Sequence, residues 1–414
     1  MKKLFFSFLI TLINLYGLNL EEAISELKKN NIDIQLSQTQ IELAQSEQNK
    51  KEDSTFGQIS TFASYTKYNN PRTLAPLTPP INPNVTTSDN LSTVGVSYSV
   101  SLFTGFKDKS DIEFSKIHHS LQKNIHTLTI DQMIYNAQTL YLDILSFNHS
   151  LKATKNYLKV LQILEENTKK EYHYGQKSLL DTLKIASDIK YVEAEILQTQ
   201  TKIYTLKDSL SLLIYGQTKD IETFEEINDF NIEKDDFKLE DVTSIKIANA
   251  NIKKANQKYI NTKSIYYPKI NLNTSYSDTY AKSEDETVAT ASVNLNWNFY
   301  DFGVSNELMQ QAKITQIQSQ LDFHKTKQEM QNKINEAKNL IIQNEKLLDS
   351  TTAQFELTKR TQDIEKLRYE EGQISIDDYL LVISSTEKIN AKKIASLYTL
   401  LKSKYYLEYL TKGK

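Results

Sequence analysis

The chain has 414 residues, a net charge of -3, nine glycines, six prolines and no cysteine. Without cysteine, disulfides, thiolate metal sites, cysteine nucleophiles and lipidated N-terminal cysteines are excluded, and the near-neutral charge gives no basic surface for nucleic acid. So few helix breakers favour long uninterrupted helices, and 24 tyrosines with 16 phenylalanines supply a large aromatic area.

Residues 1–17 place Lys2 and Lys3 before an apolar run from Leu4 to Tyr16, the pattern of a secretory signal peptide cleaved near Gly17. No later stretch offers about 20 consecutive apolar residues, so no transmembrane helix is expected. Asn19 followed by Glu22 is a capping-box pattern that opens a helix at Leu20, expected to run to about Ser54. Strand composition follows at 57–66, then a loop over 67–92 that holds five of the six prolines. In 94–103, Val94, Val96, Tyr98, Val100 and Leu102 alternate with Gly95, Ser97, Ser99 and Ser101, which predicts a strand. The chain bends at Phe103-Thr-Gly105-Phe and then meets neither glycine nor proline from Lys107 to about Glu171. At 1.5 Å per residue such a helix would be about 100 Å long. A bend at Gly175 leads into a second long helix that ends at Gly216.

Residues 219–241 carry ten carboxylates against three lysines, an acidic connector. The plan then recurs: a helix over about 242–264, a strand after Pro268, a loop at 278–288 and a second strand. The first strand sets Ile270, Leu272 and Tyr276 against Asn271, Asn273 and Ser275. The second sets Val293, Leu295, Trp297 and Phe299 against Ser292, Asn294, Asn296 and Asn298. Tyr300-Asp-Phe-Gly303 turns into a breakless run to Glu371, and a last helix follows the bend at Gly372 and ends at Gly413. The predicted organisation is therefore a signal peptide (1–17), a first repeat (18–216), the connector (217–241) and a second repeat (242–414).

The two bends are the best-matched stretches. A shift of 197 lays Tyr172, Gly175, Gln176, Ser178, Asp181 and Leu183 on Tyr369, Gly372, Gln373, Ser375, Asp378 and Leu380. Ala44, Ser64 and Tyr65 match Ala255, Ser275 and Tyr276 at a shift of 211. The longer first loop absorbs the difference of 14, as exposed loops do. A polar, glycine-centred bend between two long helices is the tip of a helical hairpin.

Strands of about ten residues with an apolar face, a small uncharged face and aromatics at the ends (Phe103, Trp297, Phe299, Tyr300) carry the signature of an outer-membrane barrel. The competing reading is an ordinary antiparallel sheet with one buried face. Four strands cannot close a barrel, which takes about eight, and lipid does not tolerate an open edge, so a membrane sheet must pool strands from several chains. Along 128–158, Leu128, Tyr135, Leu142 and Leu145 form one narrow stripe, and Ile130, Ile134, Ala137, Tyr141 and Ile144 form another. Two stripes suit a helix that touches neighbours on both sides, as in a coiled wall.

On these residues the chain resembles the TolC-like outer-membrane efflux proteins. The resemblance rests on the duplication, the four strands, Leu102-Phe-Thr-Gly105 and Phe299-Tyr-Asp-Phe-Gly303 at the strand-to-helix junctions, and the paired tips. It implies a fold that is mostly α with a four-stranded membrane contribution. It further implies a homotrimer whose barrel crosses outer-membrane lipid and continues as a helical tunnel through the periplasm of a Gram-negative bacterium. The partners it implies are a periplasmic adaptor protein and an inner-membrane transporter. By position, Gly175, Gln176, Ser178, Gly372, Gln373 and Ser375 would contact the adaptor. Asp181 and Asp378 would ring the entrance, with Tyr172, Tyr369 and Lys177 assisting the gate. The chain departs from some relatives at Ile374, where they carry an arginine latch, and at Leu381, where they carry another acid.

The alternative is a periplasmic coiled-coil adaptor or an exported stalk without a pore; a single hairpin would be its usual form. His173, Ser178 and Asp181 crowd one turn without an oxyanion donor. His118, His119 and His126 lack ligand company at metal spacing, and no phosphate loop appears. No catalytic, cofactor or metal site is expected, and the protein is not read as an enzyme.

Overall fold

The computed structural model describes residues 18–77, 80, 85–221, 223–227, 237–281 and 284–412. The expected signal peptide, part of the proline-rich loop, much of the acidic connector and Gly413 lie outside them. Each half of the sequence folds to the same plan. The first half gives α1 (Leu20–Asn30), α2 (Ile32–Asp53), β1 (Gln58–Thr73), β2 (Thr87–Phe103), α3 (Lys107–His173) and α4 (Leu179–Tyr215). The second gives α5 (Thr243–Thr262), β3 (Lys269–Ala281), β4 (Glu284–Asn296), α6 (Val304–Glu370) and α7 (Ile376–Thr411).

The helix expected from Leu20 to Ser54 is broken at Asn31. Its backbone leaves the helical region (φ -64°, ψ 127°). The Asn31 side chain accepts from the Ile34 amide at 3.0 Å and donates to the Leu213 carbonyl at 2.8 Å. One buried amide thus caps α2 and satisfies an open carbonyl in the last turn of α4. At the N-terminus of α1, Asn19 accepts from the Glu22 amide as the sequence predicts.

The strands are longer than their alternation alone indicates. β1 continues through Pro71 to Thr73, and the register shifts between Lys67 and Arg72. Proline lacks a ladder donor, so it is tolerated here because β1 is an edge strand. Most of the expected loop at 278–288 is instead strand: β3 reaches Ala281, β4 starts at Glu284, and these two residues pair. β4 stops at Asn296, which pairs with Lys269, so Trp297 and Phe299 lie beyond the ladder. Pro268 precedes Lys269 and offers no donor with which to extend it.

All four strands form one antiparallel sheet in the order β1-β2-β3-β4. Its register puts Ile59, Val94, Val96, Leu272, Tyr276, Val293 and Leu295 on one face. That face is uncovered within the chain: Ile59 is 74% exposed and Val293 65%. The other face carries Ser60, Ser97, Ser99, Asn271, Asn273, Ser275, Ser292 and Asn294, joined by hydroxyl bonds such as Ser275 to Thr290 at 2.7 Å. Phe62 also lies on this face. It pairs with Gly95, and its ring occupies the space that a β-carbon on Gly95 would need, 2.7 Å away. No side chain other than hydrogen fits beneath the ring.

Two compact units emerge from the contacts, and each takes segments from both repeats. The unit of 37–126 and 244–327 holds the sheet and the helix segments next to it. Polar contacts order those segments as α2, α3, α5 and α6: Lys51 to Asp111, Ser110 to the Gln257 carbonyl, and Gln316 to Asn256. The other unit holds a core of Ala23, Leu27, Ile134, Ala137, Tyr141, Leu142, Leu210, Ile214, Tyr398 and Leu401. Residues of both stripes of α3 enter this core beside α1, α4 and α7, and Tyr135 packs on Tyr406 and Tyr409 of α7. In this unit the connector acts as a strap. Leu18 bridges Phe224 in parallel, Tyr398 donates to Glu226 at 2.6 Å, and His149 Nε2 lies 2.8 Å from the other Glu226 oxygen.

Candidate functional site

Local backbone chemistry builds the tips. At the end of α3 the Gln176 amide donates to the Glu171 carbonyl (2.8 Å) and the Gly175 amide to the Tyr172 carbonyl (3.0 Å). At the end of α6, Gln373 donates to Arg368 (2.8 Å) and Gly372 to Tyr369 (3.0 Å). These are paired Schellman motifs, which require a left-handed residue at the turn. Gly175 and Gly372 supply it with φ of 72° and 70°. Nothing lies within 4 Å of where their β-carbons would stand, so φ demands these glycines, not close approach within the chain.

The next helix is capped two residues later. The Ser178 hydroxyl donates to Asp181 at 2.8 Å, the Ser178 amide donates to the same carboxylate at 3.1 Å, and the Asp181 amide returns a bond to Ser178. That capping box opens α4. Ser375 and Asp378 repeat the hydroxyl–carboxylate bond at 2.8 Å and the cap at 3.1 Å. Bonding by Ser178 holds the Asp181 carboxyl below its ordinary range. The shared Gly-Gln-x-Ser-x-x-Asp run therefore encodes a helix stop and a helix start; its glycines, glutamines and serines are exposed, Asp181 is half-buried, and the matched Leu380 is buried. Tyr369 stacks on Tyr379 at 5.3 Å and Tyr172 lies beside His173, so both tyrosines have aromatic neighbours. Leu381 is exposed and Ile374 half-buried.

A feature of the tips that sequence matching does not reveal is the meeting of Glu171 and Asp377. Each has a carboxylate oxygen that is buried and unbonded. Burial, and then the Glu171 charge, push the Asp377 carboxyl up, while Lys177 opposes them and Asp378 adds to the rise. These positions align with Arg368 and Leu180, where the copies differ. The signal lies in the mismatches of the repeat.

Aromatic side chains gather where the strands turn into α3 and α6. Phe103, Phe106 and Tyr267 form a set of edge-to-face contacts at 5.3–6.5 Å. Trp297 packs on Phe299 at 6.3 Å and donates to the Tyr266 carbonyl, and Tyr300 meets Phe302 at 4.8 Å. Gly105 and Gly303 sit in these junctions, each after or before a phenylalanine with positive φ (Phe106, 68°; Phe302, 55°). Phe299 and Phe302 are 82% and 89% exposed, an unfavourable setting for large rings unless something apolar covers them.

The histidines occupy structural positions. His126 bonds Ser37 at 2.7 Å, and His118 accepts from Lys254. No helix among the described residues is long and apolar enough to cross a membrane. An exposed apolar sheet face with aromatic ends, feeding long helical hairpins, defines an α/β protein of the membrane-channel class.

The comparisons with known proteins agree. The outer membrane efflux protein family model matches residues 23–214 and 239–407. The chain belongs to that family, the TolC-like outer-membrane efflux proteins, and its place is the outer membrane. Among solved structures it is similar to the Campylobacter jejuni CmeC outer membrane channel (TM-score 0.79, 15% identity, 95% of this chain and 85% of that one). It is also similar to the open state of the Neisseria gonorrhoeae MtrE outer membrane channel (0.77, 15%, 95% and 89%). A third is CusC, solved in a study of folding and transmembrane channel formation (0.79, 15%, 95% and 92%). At these identities the likeness establishes the fold. No curated protein matches the chain.

Proposed function

We propose that the protein is a passive exit duct: three copies pool their sheets into a 12-stranded barrel in the outer membrane, and their helices continue as a tunnel through the periplasm. The single observation that carries this reading is a four-stranded sheet with two unpaired edges and an uncovered apolar face. Three times four strands exceeds the number at which barrels close, and closure removes the edges that lipid would not tolerate. The outer helices of the wall support it. In the sheet-bearing unit, Leu43 of α2 and Ile314, Ile317 and Leu321 of α6 are exposed apolar side chains on the two flanks that a neighbouring copy would cover. The exposed rings of Trp297, Phe299 and Tyr300, with the half-buried ring of Phe103, then serve as the membrane girdle.

The tips are the periplasmic entrance in this proposal. Gly175, Gln176, Ser178, Gly372, Gln373 and Ser375 meet an adaptor that delivers cargo from an inner-membrane transporter. Asp181, Asp378, Tyr172, Tyr369 and Lys177 shape the gate. With Ile374 and Leu381 in place of an arginine and an acid, the entrance is held by the caps and by Lys177. The test is detergent extraction from outer membranes, sedimentation, and planar-bilayer conductance. A trimer with single-channel openings is expected. A monomer, or an oligomer that never conducts, rejects the duct.

A further inference from the structure

Helices α5 and α6 run side by side in the sheet-bearing unit, and their seam is not filled. α5 turns Ala248 and Ala255 toward it and α6 turns Thr315 and Ser319, with helical spacing on both sides. These short side chains leave a cavity of about 380 Å³. The space is a groove open to solvent on one side, and small-molecule sites begin near this size.

The lining of the cavity is chemically one-sided. Phe114 of α3 and Phe323 of α6 bring two aromatic rings, and Lys254 and Lys258 of α5 bring two cations. Lys254 Nζ stands 5.2 Å from the centre of the Phe114 ring and donates to His118 Nδ1 at 3.3 Å. A ring and an imidazole are its close partners; Glu47 acts on it only through its field. Burial holds the Lys254 ammonium below its ordinary range, and burial followed by the Lys254 charge does the same to His118. A partly desolvated cation with no paired anion among the described residues is an unfavourable arrangement that a bound anion relieves. The one carboxylate of the lining, Asp322, is exposed at the lip.

We propose that this seam is a binding site for a monoanionic aromatic or amphipathic small molecule. Its carboxylate or sulfonate sits at Lys254 and Lys258, and its apolar body lies between Phe114 and Phe323 on the floor made by Ala248 and Ala255. Asp322 at the lip disfavours a second negative charge on the ligand. The site is independent of the duct reading, because binding is measured whether or not the assembly conducts.

The experiment uses the full assembled protein in amphipol, so that no detergent micelle competes. 2-Naphthoate is titrated calorimetrically, with 2-naphthylmethanol as the neutral comparison. The site predicts saturable binding of one naphthoate per chain, at least about tenfold weaker binding of the alcohol, and weakening with added salt. Lys254→Met, which keeps the stem and removes the charge, should weaken naphthoate about tenfold with assembly unchanged. Ala255→Leu combined with Ser319→Leu fills the seam and should abolish binding. Should the filled variant fail to assemble, Lys254→Met with Lys258→Met tests the seam from its cationic end and should likewise abolish naphthoate binding. Absence of saturable binding to millimolar naphthoate, equal affinity for the alcohol, or binding unaffected by the variants would each overturn the proposal.

Discussion

Asn31 holds two elements with one side chain, and its replacement has a magnitude that follows from the bonds it makes. Only 4% of Asn31 is exposed. In Asn31→Ala the Ile34 amide loses its cap, a loss of about 1 kcal/mol. The Leu213 carbonyl, in the final turn of α4, loses its donor inside the core, which costs about 1–3 kcal/mol more. The sum is about 2–4 kcal/mol, concentrated where α1 meets α2. Asn31→Asp separates the two roles. Aspartate caps exposed helices as well as asparagine does, but here it would press a carboxylate against a carbonyl, so it should be no better than alanine. The assay is limited proteolysis of the assembled protein under native conditions, reading the rate of cleavage at the α1–α2 junction. A local destabilisation of this size raises the cleavage rate about 30-fold or more when opening is fast. Cleavage of Asn31→Ala no faster than in a surface control such as Gln38→Ala would refute the reasoning. So would an aspartate variant markedly more resistant than the alanine one.

Two further outcomes follow from the sheet and the tips. Gly95→Val must displace the Phe62 ring and also meets the Tyr276 carbonyl at 2.7 Å, an overpacking loss of about 1–3 kcal/mol. It should lower the temperature at which the oligomer dissociates on a gel, and adding Phe62→Ala should recover part of the loss; a wild-type melting temperature for Gly95→Val would contradict the register. At the tips, the Asp181 carboxyl lies below its ordinary value of 3.8, so its capping contribution is complete above that pH and is lost as the pH falls through the lower folded value. Resting conductance should therefore be flat from neutral pH to about 4 and rise only in stronger acid. Asp181→Ala combined with Asp378→Ala should raise it already at pH 7. Identical traces for wild type and the double variant would confine both residues to helix capping.

Much of the fold was legible because its governing interactions are local. Breakless runs gave α3, α4, α6 and α7 to within a few residues, since only glycine and proline interrupt such helices cheaply. Alternation gave the faces of β2 and β3. The tips were located because a Schellman turn and a serine cap have fixed residue requirements. The errors have an equally definite origin. Pro71 and the polar residues after Lys67 read as loop, but pairing with Thr87 and Ser88 carries β1 past them. Trp297 and Phe299 continue the alternation of β4, yet no strand remains for them to pair with.

What the sequence by itself determined is the duplicated plan, the extents of the four long helices, the capped tips and the family. Tertiary structure alone decided three features: the break at Asn31, the Phe62 ring over Gly95, and the approach of Glu171 to Asp377. Each depends on a group supplied from far along the chain. The Leu213 carbonyl, the facing strand and the second hairpin cannot be seen in a window of ten or twenty residues. Local rules fix which backbone conformations are favourable; which of those is adopted next to a buried polar group is fixed by the partner that packing brings to it.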